Sequence, residues 1–301
     1  MRRIFLHDQG TAQEQEDGVI NTIGIIGVLD GVSKPYGPTE PPLIIDSMPS
    51  GVWVTRTIEL ALSGMTFNGT KPELLRILAE INTSLGNSLR AKCGSLPSGL
   101  RPGVTFGIAC VDDSFVQVAQ VADSFVFIRK KNGGLVYSPY AMRAFEEKDQ
   151  KLASQAMKEA AFRLFGHEPA SIPEKRRTEL RKEFWKIYLA PWIKLRSKAI
   201  NCIDSPMGYG LMNGETGMLS FVWTHAFNRR NVELVLCLTD GMIPKSLLKK
   251  RNDEEIAKGI MSAYERGGLK EILNRVRREE AKAASSNYID QGEATGYALE
   301  F

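Results

Sequence analysis

Short apolar runs bounded by turn residues alternate along this chain with longer stretches of helical periodicity, the signatures of strands and of amphipathic helices. Residues 18–29 are apolar and β-branched, broken at Asn21-Thr22 and Gly24, and predict one or two strands ending at Asp30-Gly31. Within 34–42 three prolines fall in five positions, which permits neither helix nor sheet. Residues 52–62 predict a helix. A second opens at Thr70, capping Lys71-Pro72-Glu73, with Leu74, Leu75, Leu78, Ile81 and Leu85 as its apolar face.

Residues 104–111, 114–121 and 124–130 predict three short strands joined by Asp-Asp and Asp-Ser steps, and Asn132-Gly133-Gly134 closes a further hairpin. Together they predict an antiparallel meander. Residues 141–195 turn helical and charged, with Pro173 and Pro191 as breaks. Strand-like pieces follow at 199–203, 219–223 and 232–238, helices return at 244–284, and 295–301 ends the chain as a strand. No internal repeat or low-complexity linker divides the pattern, so the expectation is one α+β domain over 1–301 with inserted helices.

Composition narrows the class. The chain has 301 residues, and a 43% hydrophobic share suffices for a core. No run of roughly 18 apolar residues appears, and the segment from Met1 to Asp8 lacks the apolar stretch and cleavage site of a signal peptide. A soluble, cytoplasmic protein without a membrane partner is expected. Cys93, Cys110, Cys202 and Cys237 show no CxxC spacing and read as buried thiols. A net charge of +4 does not by itself announce a nucleic-acid partner, and none is expected. The charge is concentrated: 171–199 holds nine Lys or Arg, Arg176 and Arg181 among them, against three acids.

Four acidic spots sit where strands should end or begin: Glu16-Asp17, Asp30-Gly31, Asp123 and Asp240-Gly241. A carboxylate at the edge of a buried strand is held rigidly near solvent, as a hard divalent cation requires of its oxygen ligands. Each spot alone is also an ordinary turn. In order, with Val28-Leu29-Asp30-Gly31, Val121-Ala122-Asp123-Ser124, Leu238-Thr239-Asp240-Gly241 and Glu293-Ala294-Thr295, the chain resembles the metal-dependent, type-2C protein serine/threonine phosphatases over nearly its whole length.

The resemblance implies an antiparallel β-sandwich flanked by helices on both sides, with two divalent ions, Mn2+ or Mg2+, between the sheets and a possible third. It further implies that Glu16 and Asp17 hold one ion's surroundings, that Asp30 bridges and Gly31 offers its carbonyl, that Asp240 serves the other ion, and that Asp123 recruits the third. Two ions roughly 3.5 to 4 Å apart activate a shared water and neutralise the phosphoryl oxygens, so hydroxide attacks a phosphoserine or phosphothreonine ester of a protein substrate with no protein nucleophile. No Cys-x5-Arg stretch is present, and His7, His167 and His225 lie at no metal-ligand spacing.

Three positions depart from the family's pattern. Gly292 replaces a usual metal ligand, with Glu293 or Asp290 able to compensate. Ala12 stands where an arginine grips phosphate, leaving Arg2, Arg3 or Lys34 to supply the charge, and Val32 leaves no general acid. A catalytically weak pseudophosphatase acting as a binding module is therefore the alternative. The helical and flap insert, about 141–215, contains Asn201 and Ser205-Pro206-Met207-Gly208-Tyr209-Gly210, which resembles a stretch in some bacterial members. Its cations, Arg176 among them, would steer an anionic phosphoprotein or simply form a solvated face. Trp185, Tyr188 and Trp192 share one helical face and read as packing. No GxxxxGK[ST] or GxGxxG stands between a strand and a helix, which argues against nucleotide enzymes.

Overall fold

A computed structural model describes residues 1–11, 14–35, 41–65, 74–250, 252–283 and 291–301. In chain order the elements are β1 (Arg2–Asp8), β2 (Gly18–Asn21), β3 (Ile25–Val32), β4 (Ile44–Ile45), β5 (Met48–Pro49), α1 (Ser50–Ser63), α2 (Leu74–Cys93), β6 (Gly103–Val111), β7 (Phe115–Val121), β8 (Phe125–Lys130) and β9 (Leu135–Tyr137). Then come α3 (Arg143–Phe165), α4 (Arg177–Ala199), β10 (Trp223–Asn228), β11 (Val232–Leu238), α5 (Lys245–Leu248), α6 (Asp253–Ala283) and β12 (Ala294–Glu300).

Among the described residues the strands make two antiparallel five-stranded sheets, ordered β1-β12-β11-β8-β9 and β10-β7-β6-β3-β2, and a small β4-β5 pair. Between the sheets pack Ile26, Val28, Val116, Val118, Val126, Ile128, Val235 and Tyr297. The outer face of the second sheet packs against α1 and α2, through Leu29, Phe106 and Ile108 on the strands and Ile58, Leu78 and Leu85 on the helices. The first sheet packs against α5 and α6, through Phe125, Leu236 and Leu238 against Leu247, Ile260 and Ile272. Strands covered on both faces are apolar throughout rather than alternating, which is why β6 and β11 read as continuous apolar runs. The expected sandwich with helices on both sides is what the chain forms.

Tertiary packing overrides local preference in α1, where the β-branched Val52, Val54, Thr55, Thr57 and Ile58 fall in a helix. Val54, Ile58 and Leu62 recur every fourth position, are almost fully buried, and each contributes about 1.5–3 kcal/mol through burial. In α2 the buried face is Leu74, Ile77, Leu78, Ile81, Leu85 and Leu89; Leu75, expected on it, is 43% exposed, because the stripe turns through Ile77 instead. The Thr70 cap and most of the proline-rich loop lie outside the described residues.

Other expectations need correction. Residues 104–130 are not a meander: β6 and β7 pair, but β8 crosses to the other sheet, where it lies between β11 and β9. The step is taken at Ala122, whose φ of +60° turns the chain out of its own sheet. Pro191 does not break α4, although an internal proline costs about 3 kcal/mol. Buried residues on either side, Leu180, Tyr188, Arg196 and Ala199, hold the helix together. Residues 199–203 contribute only a bridge, Ile200 to Tyr209, and 216–221 form a 3-10 turn before β10. Arg2–Asp8, unassigned from sequence because charges flank its apolar centre, forms the edge strand β1.

Candidate active site

All the acidic spots reach one end of the sandwich. Asp30 lies near the end of β3, opposite Thr105 of β6; Asp123 occupies the crossing from β7 to β8; Asp240 follows β11. Glu16-Asp17 lead into β2 and Glu293 leads into β12. Glu16, Asp17, Asp30, Gly31, Asp240 and Glu293 line a single cleft of about 310 Å³ together with Gly241, Lys245, Glu280 and Gly292.

Hydrogen bonds and close packing fix these groups. The Thr239 hydroxyl accepts the Thr295 N–H at 3.0 Å and donates to Asp17 Oδ2 at 3.0 Å, clamping the two sheets at the cleft. Glu293 Oε2 accepts the backbone N–H groups of Glu16 and Asp17 at 2.8 and 2.9 Å. Ser33 Oγ donates to Glu16 Oε1 and accepts the Gly51 N–H at 3.0 Å, seating the Glu16 carboxylate against the start of α1. Two glycines are forced by space: a Cβ on Gly241 would lie 1.6 Å from the Glu293 carbonyl oxygen, and one on Gly51 2.3 Å from Glu16 Oε2. Thr105 bonds Asp123 and meets Ser124 Oγ at 3.0 Å.

The electrostatics show how tightly the acids are crowded. Burial, then the charges of Asp17, Asp240, Asp123 and Glu293, push the Asp30 carboxyl well above its ordinary value. Asp17 rises to about 7, through burial and then Glu293 and Asp123, with Thr295 and Thr239 opposing. Asp240 rises to about 8 through desolvation, Asp123, Asp17 and Glu146. Its surface is open to the cleft, so water there tempers the rise. Glu16, Glu293 and Asp123 are raised, each chiefly by burial. No Lys or Arg figures among the leading influences on Asp17, Asp30, Asp123 or Asp240.

Such a cluster fits divalent cations on its donor chemistry. Asp123 Oδ1 is buried without a hydrogen-bond partner, the state of a carboxylate oxygen that needs an external positive group. Among the described residues no three His, Cys, Asp or Glu side chains form a group that could cage an ion by themselves. Mg2+ and ions like it keep several waters and take one or two carboxylates, so a cage is not required of such a site.

The expected phosphate cations are not in the cleft. Arg2 pairs with Glu300 at 3.6 Å, and Arg3 donates to Asn21 Oδ1 at 3.1 Å and the Ile23 carbonyl at 2.8 Å. Arg2 stands five register positions along β1 from His7, which pairs Thr295, a separation of roughly 17 Å at strand rise. Lys34 is held through its backbone N–H on Ser50 Oγ at 3.0 Å and does not line the cleft. Arg176 lies over the Phe165 ring at 5.3 Å, between the helices of the insert. Ala12 and Asp290 lie outside the described residues.

The segment expected to hold a flap bonds within itself and bridges the second sheet. Asn201, at φ +54°, donates to the Leu211 carbonyl, Asn213 Oδ1 and Glu215 Oε2, and accepts the Leu211 N–H. Met212 bridges Val104 of β6. Arg196, one of the nine cations of 171–199, is only 2% exposed and lies over the Trp192 ring. Tyr188 is buried, stacks on Phe184 and Trp192, and donates to Asp149 Oδ1, so the packing expected of this aromatic face holds for Tyr188, whereas Trp185, expected beside it, is 37% exposed.

Sequence reasoning missed the roles of Thr239, Thr295 and Thr105, whose signal was only their adjacency to the acidic spots or their strand register. It also missed Glu146 of α3, in the field of Asp123, and Lys245. Neither carries a local motif.

No protein-family model and no curated protein matches the sequence. Solved structures do. The Mycobacterium tuberculosis serine/threonine phosphatase PstP/Ppp aligns with a TM-score of 0.54 at 13% identity, over 100% of this chain and 98% of that one. The catalytic domain of PstP in complex with two manganese ions gives 0.53 at 13%, over 99% and 97%. Serine/threonine phosphatase Stp1 from Staphylococcus aureus gives 0.50 at 13%, over 99% and 94%. The two sheets, their flanking helices and the acid-lined end thus belong to a chain that has the fold of the PPM-type serine/threonine phosphatases.

Proposed function

We propose that this protein is a metal-dependent phosphatase that hydrolyses phosphoserine or phosphothreonine esters on protein substrates. One observation carries the reading: carboxylates from five separated stretches of sequence meet at one end of the sandwich, crowded together with no basic partner for Asp17, Asp30, Asp123 or Asp240 among the described residues. Asp30, Asp240, Glu16, Asp17 and the Gly31 carbonyl would hold two divalent ions, Mn2+ or Mg2+, and Asp123 a third. When bound, such ions acidify water and neutralise phosphoryl charge. The two manganese ions in the PstP complex support this reading.

The chain's own groups do the positioning. Thr239 orients Asp17 across the sheet interface, and Glu293 fixes the Glu16-Asp17 turn, so the two acids enter the cleft with little freedom. Glu293 compensates for Gly292 in this sense, as a support for neighbouring acids, with one of its oxygens already committed. Cysteine chemistry finds no support: Cys110 and Cys237 are buried in strands, the Cys110 thiol is pushed up to about 12, and neither Cys93 nor Cys202 lines the cleft. The soluble, cytoplasmic setting is part of the same proposal; no helix among the described residues is long and apolar enough to cross a membrane.

Turnover of p-nitrophenyl phosphate with Mn2+ tests the reading. Wild-type activity should fall on the order of 10^3-fold in Asp30→Asn, the scale of losing one charge-stabilising group. A wild type that binds Mn2+ and shows no turnover at any concentration would instead establish the binding-module alternative.

A further inference from the structure

The cleft needs a positive group for its anionic substrate, and none of Arg2, Arg3, Lys34 and Arg176, expected from sequence to supply one, lines it. Among the described residues, Lys245 is the one Lys or Arg that lines the cleft. It opens α5, five residues after Asp240, and is exposed. Its ammonium makes no ion pair or hydrogen bond with another described residue. The neighbouring Arg277 is not available: its guanidinium donates to Glu280 at 2.7 Å, Asp8 at 3.0 Å and the Gly292 carbonyl at 2.8 Å. A flexible ammonium on the rim of an otherwise acidic cleft can meet phosphate as a point charge.

We infer that Lys245 binds the phosphoryl oxygens of the substrate and of the released phosphate, taking the place of the cation that Ala12 cannot provide. The inference rests on the phosphatase reading of the cleft. The position of Lys245 suits this role, because the other charged residues lining the cleft, Glu16, Asp17, Asp30, Asp240, Glu280 and Glu293, are all acidic and its ammonium supplies the opposite sign from the start of α5. Charge steering by the cations of the helical insert acts on encounter from a distance, whereas this contact acts on the bound anion.

Calorimetric titration of inorganic phosphate into the Mn2+-loaded protein tests it without turnover. Phosphate affinity should fall roughly tenfold or more in Lys245→Ala, the worth of one charge-assisted contact, and be largely retained in Lys245→Arg, with Mn2+ affinity unchanged in both. KM for a phosphopeptide should rise in parallel with the phosphate Kd. Equal phosphate affinity in wild type and Lys245→Ala, no phosphate binding by wild type, or a parallel loss of Mn2+ binding would each overturn the assignment. A wild type that binds phosphate through Lys245 and hydrolyses nothing would refute the phosphatase reading alone. Active enzyme with unaltered phosphate affinity in Lys245→Ala would refute Lys245 alone.

Discussion

The acid-lined cleft and the hairpin of α3 and α4 carry opposite charge and manage it in opposite ways. On the hairpin, charges answer one another locally: Arg163 pairs with Glu159 and Glu183, and Lys186 with Glu183 at 3.1 Å, all with at least one exposed partner. Pairs of this kind are worth about 0–1 kcal/mol and keep a surface soluble. At the cleft, strand ends hold carboxylates side by side with no local answer, and several rise far above their ordinary pKa. Charge that a fold leaves uncompensated, at the expense of its own stability, marks the place where a ligand is meant to complete it.

Four experiments bear on that contrast, the largest effect first. Gly241→Ala should destabilise the protein by about 3 kcal/mol and abolish metal binding, because overpacking here drives Asp240 and Glu293 apart. A chemical denaturation curve superimposable on wild type would show the cleft to be more pliant than its packing implies. Glu293→Ala frees the N–H groups of Glu16 and Asp17, and Mn2+ affinity should fall about 10- to 100-fold, the range for residues that support metal ligands.

Metal and pH form the third comparison. Asp17 and Asp240 rise from an ordinary 3.8 to about 7 and about 8, so the folded state binds their protons more tightly than the unfolded chain does. Their stabilising contribution is full below about pH 4 and is lost as pH climbs through about 7 to 8. Metal-free protein should therefore melt at lower temperature at about pH 8 than at about pH 5, and Mn2+ should raise Tm more at the higher pH. A metal-free Tm that rises over this interval would mean that the carboxylates are not crowded as described.

The smallest effect belongs to the hairpin. Replacing Arg176, Arg177 and Arg181 with glutamine should change stability by no more than about 0.5 kcal/mol. Turnover of phosphopeptides should fall more than that of a small aryl phosphate if these cations steer substrates, and the difference should fade with added salt. Equal loss on both substrates, or none on either, would leave the hairpin's charge as a solvated face.

Local chemistry written in the chain was enough to place strands at 18–29, 104–111 and 232–238, the helices α1 and α2, and acids at the strand ends, because burial on both faces and the 3.6-residue stripe leave direct marks. It also carried the resemblance from which the sandwich followed. Three-dimensional packing alone decided the rest. The Ala122 turn separates β7 from β8 although their sequence reads as a hairpin, α4 runs through Pro191, and Arg2 and Arg3 are carried to the far end of β1. Thr239 and Thr295 become a clamp on Asp17 only after β11 and β12 pair, and Lys245 reaches the cleft only because α5 packs beside it. Such groups have no period or motif, since their roles come from partners distant in sequence that the closed core brings within a few ångströms.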